Sequence, residues 1–259
     1  MKVVILAGGY GTRISEESHL KPKPMIEIGE MPILWHIMKY YSYFGYNDFI
    51  ICCGYRGYII KEYFANYYLH NSDVTFDFRS NNEMTVHTNV AEPWKVTLVD
   101  TGLNTMTGGR IKRVEKYIDS DNFMMTYGDG VSDVDLSQLV QMHEKKKTTV
   151  TMTAVQPGGR YGTLDINNID LISTFAEKRK EDGGWVNGGF MVLSTKIFNL
   201  LINDQTVFER EPLEQLAVSE KLAAYKHYGF WQSMDTLRDK VLLDELIMDN
   251  KAPWMVWDK

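Results

Sequence analysis

Cysteine is scarce in this chain: 259 residues carry two, and these are neighbours, Cys52 and Cys53. Adjacent residues of a strand point to opposite faces, so the pair is poorly placed to bond each other or to share a metal. Both are expected to be reduced strand residues of a cytoplasmic protein. No apolar run approaches the roughly 20 residues needed to cross a bilayer, so no membrane partner is expected. The N-terminus lacks the basic segment and cleavage site of a secretory signal and reads directly as a strand. Positive charge is also short, with 28 Lys and Arg against 34 Asp and Glu, a net charge of −6. That balance argues against a general nucleic-acid binder, since phosphate backbones favour basic surfaces. The six histidines are scattered and form no convincing Ser/His/Asp or Cys/His set. Any basic residues that bind an anion must therefore be gathered locally.

The hydrophobic fraction of 44% and charged fraction of 24% are those of an ordinary globular chain, with enough length for one large α/β domain or two small ones. In the first half strand and helix patterns alternate. Strands are expected over 2–7, 48–53, 74–78, 94–99, 122–126 and 148–155, and helices over 32–45, 58–69, 108–117 and 136–146. This order predicts an α/β fold, a Rossmann-like, mostly parallel sheet flanked by helices. From residue 157 the texture changes to short strands (163–166, 171–176, 190–193), glycine corners and helices (195–202, 211–222). These predict a smaller α+β lid packed on the sheet within one domain. Residues 79–93 are polar and irregular, either a mobile or interface-forming excursion or a plain surface hairpin.

The most informative segment is the first strand and its end, Leu6-Ala7-Gly8-Gly9-Tyr10-Gly11-Thr12-Arg13. Glycines let backbone N–H groups approach a ligand without a Cβ in the way, and Arg13 adds a fixed cation. The dinucleotide pattern G-x-G-x-x-G and its acidic partner are missing, and so is the Gly-Lys-Ser/Thr of a P-loop. What remains is an anion-cradling loop or a tight structural bend. Lys21-Pro22-Lys23-Pro24 follows, with prolines expected to hold the backbone extended and aim Lys23 as a point cation. The alternative is a solvated turn carrying two lysines.

Gly128-Asp129-Gly130 lies just past a predicted strand, where open sheets bind ligands, and its lone carboxylate suits Mg²⁺. Asp235 is the candidate second acid, although an Asp before Thr236 can equally cap the helix that starts at Leu237. Glu177-Lys178 and Val186-Asn187-Gly188-Gly189 are weak signals taken singly; a lysine there can reach a sugar phosphate and an asparagine can bond hydroxyls.

In order, these motifs, with Tyr161-Gly162 and Trp231-x-x-Met234-Asp235-Thr236, resemble the sugar-nucleotidyltransferase family over nearly the whole chain. One departure is Glu177-Lys178-Arg179 where the family often has Glu-Lys-Pro. The resemblance implies the nucleotide-diphospho-sugar transferase fold, with residues 1–155 as nucleotide-binding core and 156–259 as sugar-binding and C-terminal part of a single 1–259 domain. It implies catalysis by Arg13, Lys23 and Asp129, a triphosphate held by Leu6 to Arg13 and Lys23, and Mg²⁺ on Asp129 and Asp235. Gly162, Glu177, Lys178 and Asn187 would take the sugar phosphate, with Thr105 and Arg110 on the nucleotide side. Segments 51–55, 99–102, 106–110 and 229–232 resemble the cytidylyl branch most, which implies CTP, glucose 1-phosphate, a CDP-glucose product and a homo-oligomer, a hexamer. Rivals are a uridylyl or thymidylyl transferase, a non-catalytic nucleotide sensor on the same scaffold and, with least support, a dehydrogenase.

Overall fold

A strand that is apolar on both faces is stable only when both faces are covered. β1 (Val3–Leu6) is such a strand, and all four of its residues are buried. In the computed structural model, residues 1–14, 19–79, 81–157, 162–166, 172–177 and 184–258 are described, of which Arg13, 162–166, 172–177 and Asp258 are described by their backbone path. After β1, the two-residue strands β2 (Glu27–Ile28) and β3 (Met31–Pro32) form a small hairpin leading into α1 (Ile33–Tyr43). β4 (Asp48–Cys53), α2 (Gly57–His70), β5 (Ser72–Asp77), β6 (Glu83–Asn89) and β7 (Lys95–Asp100) follow. Then come α3 (Thr107–Arg113), β8 (Asn122–Tyr127), β9 (Gly130–Ser132), α4 (Leu136–Lys146) and β10 (Val150–Val155). The chain continues through β11 (Gly162–Ile166), β12 (Ile172–Glu177), β13 (Val186–Ser194), α5 (Glu211–Val218), β14 (Leu222–Lys226), β15 (Trp231–Ser233) and α6 (Leu237–Met248).

The central sheet has seven strands in the order β14-β10-β13-β8-β1-β4-β7. Its neighbours pair in parallel except at β13, which runs against both β8 and β10. One face packs Val3, Ile5 and Cys53 against α1, α4, α6 and Trp254. The other packs Val4, Leu6 and Cys52 against α3, α5 and Phe198. The two cysteines thus point into opposite cores, both unbridged, and burial pushes the Cys53 thiol up to about 11. No described helix is long and apolar enough to cross a membrane.

The C-terminal part enters the sheet more deeply than its sequence suggests. The strand expected over 190–193 is nine residues long and lies inside the sheet between β8 and β10. The helix expected over 211–222 stops at Val218, because Glu220 turns left-handed (φ 57°) and Lys221 N–H bonds back to Leu216 O at 2.8 Å. That closure frees Leu222–Lys226 to pair with β10. The helix expected over 108–117 divides likewise, with α3 ending at Arg113 and a 3₁₀ turn over Glu115–Tyr117. Residues 83–89 form the second strand of a hairpin: β5 and β6 pair with each other, with Val74 opposite Val86 and Phe76 opposite Met84. One face of this ribbon is apolar and exposed.

Because β13 runs backwards, its first residues reach the same edge of the sheet as the C-terminal ends of β1 and β8.

Candidate active site

β1 ends at Leu6, and the glycine turn after it forms one wall of a cleft of about 540 Å³. Leu6, Ala7, Gly8, Gly9, Tyr10, Gly11 and Thr12 line it, facing Lys23, Leu103–Thr107, Arg110, Tyr127–Asp129 and Asp235. The turn is held from both sides: Gly128 N–H bonds Leu6 O at 3.0 Å and Tyr55 N–H bonds Gly8 O at 3.2 Å. Arg110, 6% exposed, lies behind it. Its Nη1 donates to Thr101 Oγ1 and Gly102 O, each at 2.8 Å, and its Nη2 to Leu103 O at 3.2 Å. A Cβ on Gly8 would fall 2.2 Å from that Nη1. The guanidinium therefore occupies the space a side chain at position 8 would fill, and it ties the glycine turn to the 101–105 loop. At the rim, Tyr10 OH donates to Asn104 Oδ1 at 2.9 Å, a second tie between the same two segments.

Lys23 is delivered differently from the expectation of a fully extended segment. Pro22 is extended (φ −64°, ψ 146°), but Lys23–Met25 then forms one 3₁₀ turn with Pro24 inside it. The fixed φ of proline suits the first turn of a helix as well as an extended chain. Lys21 leaves the cleft and pairs with Glu27 at 2.7 Å. The Lys23 ammonium lies between two carboxylates, 2.6 Å from Asp129 Oδ2 and 2.9 Å from Asp235 Oδ1. Burial alone would lower its pKa, but the charges and hydrogen bonds of Asp129 and Asp235 outweigh it and hold the group above 10.5.

Asp129 is presented by the turn after β8, where a Cβ on Gly128 would touch Pro24 Cγ at 3.0 Å. Asp235 is not the cap of α6. Thr236 is the N-cap, in a capping box with Asp239, which leaves the Asp235 carboxylate to Lys23 and to Ser233 Oγ at 3.0 Å. Two carboxylates converging on a cation make a donor set that suits a divalent ion sharing phosphate oxygens. Among the described residues, no group of three or more His, Cys, Asp or Glu gathers as a metal site, so these two aspartates are the acids the cleft offers.

A second cavity of about 340 Å³ adjoins the first and shares Tyr127, Asp129 and Asp235 with it. Asn187, Gly188, Glu209 and Trp231 line its far side. Asn187 Oδ1 accepts Gly189 N–H at 2.9 Å, and Trp231 Nε1–H bonds Gly188 O at 2.7 Å. Burial, and then the Glu209 carboxylate, raise the Tyr127 phenol, so it remains a donor.

Of the residues singled out in the sequence, Leu6 to Thr12, Lys23, Thr105, Arg110, Asp129 and Asp235 share one cleft, and Asn187 lies next door. Arg13 belongs to the 3₁₀ turn Thr12–Ile14, and its side chain lies outside the described part. Gly162 and Glu177 pair across the β11–β12 ribbon, and Lys178 lies outside the described residues. Tyr127 and Glu209 line the site without having been singled out. Tyr127 had a signal, its place just before Gly128-Asp129; Glu209 stands in no motif.

Residues 2–236 match the sequence profile of a family described as "Nucleotidyl transferase". The chain is 56% identical over 259 residues, all of both chains, to the glucose-1-phosphate cytidylyltransferase of Salmonella typhimurium (strain LT2). It is 43% identical over 258 residues to the probable glucose-1-phosphate cytidylyltransferase of Bacillus subtilis (strain 168), covering 99% of this chain and 100% of that one. The crystal structure of HddC from Yersinia pseudotuberculosis superposes with a TM-score of 0.68 at 25% identity, over 95% of this chain and 99% of the other.

Proposed function

This chain belongs to the nucleotidyl transferase family, and on that premise we propose that it transfers the cytidylyl group of CTP to α-D-glucose 1-phosphate, yielding CDP-glucose and pyrophosphate. The observation that carries the reaction class is the Lys23 ammonium between Asp129 and Asp235, where the two cavities meet. The choice of CTP and glucose is supported by full-length relatives that bear that activity in their names.

The nucleophile, a phosphate oxygen of the sugar phosphate, is already an anion and needs no base. It attacks the α-phosphorus in line; a new P–O bond forms while the bond to the β-phosphate oxygen breaks and pyrophosphate leaves. Such a transfer asks for alignment and charge neutralisation. The N–H groups of the glycine turn cradle the triphosphate, with Arg13 beside the leaving pyrophosphate and Lys23 on the α-phosphate. Thr105 orders the nucleotide side from its buried position, and Arg110 does so from behind the turn. Gly162, Glu177, Lys178 and Asn187 receive the sugar phosphate, so residues 1–155 serve the nucleotide and 156–259 the sugar. Asp129 and Asp235 would hold a divalent cation, Mg²⁺, which when bound supplies Lewis-acid neutralisation of phosphate charge. The exposed apolar face of the β5–β6 ribbon supports self-association; the hexamer rests on the resemblance to the cytidylyl branch, and the molar mass in solution tests it.

Pyrophosphate release measured with glucose 1-phosphate and each of four nucleoside triphosphates tests the reaction. CTP should give the highest kcat/KM. A faster rate with UTP or dTTP would overturn the base assignment, and release with none would overturn the reaction.

A further inference from the structure

Glu209 precedes α5, belongs to no motif, and lines the second cavity. Its Oε1 accepts the Tyr127 hydroxyl at 2.5 Å and its Oε2 accepts the Thr107 hydroxyl at 2.5 Å. Each of those hydroxyls accepts in turn, Tyr127 from Asn187 Nδ2 at 3.2 Å and Thr107 from Phe208 N at 2.9 Å. A hydroxyl has one proton, so both protons are committed to Glu209 and point the same way. Only a side chain that accepts twice and donates nothing completes this arrangement, and a carboxylate is that group. The far end is fixed as well, because Asn187 Oδ1 holds Gly189 N–H.

We propose that Glu209 is the positioning residue of the sugar-phosphate subsite: anchored on Thr107, it fixes the Tyr127 hydroxyl and through it the carboxamide of Asn187. The line crosses the site. Thr107 opens α3, which carries Arg110 behind the glycine turn, and Asn187 opens the edge of β13. An isosteric glutamine at 209 fails in a defined way. Its amide nitrogen can only donate, so the hydroxyl that faces it must turn its own proton away, and one of the two O–H bonds is inverted or lost.

The role rests on the reaction proposed above, and the experiment separates the two. Glu209→Gln, Tyr127→Phe and the double variant are compared with the wild-type chain in steady-state assays with CTP and glucose 1-phosphate, alongside thermal unfolding. Either single change is expected to raise KM for glucose 1-phosphate roughly ten- to hundred-fold, the size of one lost bond to a charged group. KM for CTP should rise by a clearly smaller factor, since Thr107 and Tyr127 also line the nucleotide cleft but the line ends on Asn187, on the sugar side. The double variant should be no worse than the worse single, because both cut one line. A Glu209→Gln defect with a normal Tyr127→Phe would overturn the proposal in favour of direct contact between Glu209 and the sugar. Both KM values rising in step with a lost unfolding temperature would reduce Glu209 to a structural residue, and unchanged kinetics would remove it altogether. An inactive wild type overturns the reaction, and this role with it; an active wild type beside an unaffected Glu209→Gln overturns this role alone.

Discussion

Arg110 stands where a side chain at Gly8 would have to go: a Cβ there would lie 2.2 Å from Nη1 and 2.5 Å from Cζ. Long side chains usually yield to such a methyl, but this one is tied to Thr101, Gly102 and Leu103. Gly54 is closed by the same guanidinium, since a Cβ there would meet Nη1 at 2.5 Å and Gly8 O at 2.6 Å. Gly8 and Gly54 are therefore required by an arginine as much as by a ligand.

Gly8→Ala should accordingly cost on the order of 2–4 kcal/mol in stability through the broken bonds of a buried cation. KM for CTP should rise at the same time, because the turn and the 101–105 loop lose their common support. Arg110→Lys, which keeps the charge but reaches fewer of the acceptors, should act in the same direction with a smaller loss. Urea titration and CTP kinetics check both; an unchanged Gly8→Ala would mean that Arg110 moves aside freely.

Lys23→Ala and Asp129→Ala should each lower turnover by roughly two to three orders of magnitude, as loss of a group aimed at transition-state charge does. The fold should survive, because the cleft is open to water on its free side. Lys23 is held above its ordinary pKa of 10.5, so its contribution to stability is complete below that pH and fades only as pH rises through the higher folded value. Activity between pH 6 and 9 should therefore show no ionisation of Lys23. Near-wild-type turnover in either variant would remove the role assigned to it.

How much of this site can be read in the sequence depends on how local each feature is. The glycine turn, Lys23 between prolines and Asp129 between glycines are short patterns whose residue types state their own backbone requirements. The strand–helix alternation before residue 155 is local in the same sense, since periodicity follows from which face each element buries. The backing of Gly8 by Arg110 is not legible, because about a hundred residues separate them and nothing near Arg110 records what it will face. Glu209 is hidden for the same reason. The helix cap at Thr236 is a one-residue shift from Asp235, and only the Asp239 contacts decide it. β14 is obscured because Leu222-Ala223-Ala224 has the composition of a helix end, and pairing with β10 makes it a strand.

Acid should destabilise the protein through His36. Its ring is 3% exposed and lies between the Ile28 carbonyl, 3.0 Å from Nε2, and the Trp254 indole N–H, 3.4 Å from Nδ1. Nδ1 accepts from the indole, so Nε2 carries the proton and donates to Ile28. Burial lowers the pKa to about 4, against 6.5 for an ordinary histidine. The unfolded chain therefore binds the extra proton first as pH falls. Stability from this residue is complete above pH 6.5 and is lost progressively down to about pH 4, roughly 3 kcal/mol across the window. Unfolding free energies measured over pH 4–7 should show this slope, and His36→Gln should flatten it while lowering stability at pH 7. An equal slope in the variant would assign the acid limb to other groups.

The start of α6 joins helix stability to the placement of Asp235. Thr236 Oγ1 accepts Asp239 N–H at 3.3 Å and donates to Asp239 Oδ2 at 2.8 Å. That same Oδ2 accepts the backbone N–H groups of Asp235 and Thr236, at 3.1 and 2.8 Å. Removing the cap by Thr236→Ala should cost about 1 kcal/mol. Asp239→Ala should cost more, about 2–3 kcal/mol, because it leaves two inward N–H groups without their acceptor. The two changes should also separate in the metal requirement of the enzyme. On the proposed role of Asp235 as a metal ligand, Asp239→Ala releases the backbone on which its carboxylate is mounted, so the concentration of divalent cation (titrated as Mg²⁺) for half-maximal rate should rise several-fold, on the scale of lost outer support. Thr236→Ala keeps the Asp235 N–H bond to Asp239 and should change that concentration little. Equal Mg²⁺ dependence in both variants, with the stability difference intact, would show that Asp235 is held by Lys23 and Ser233 rather than by the helix cap.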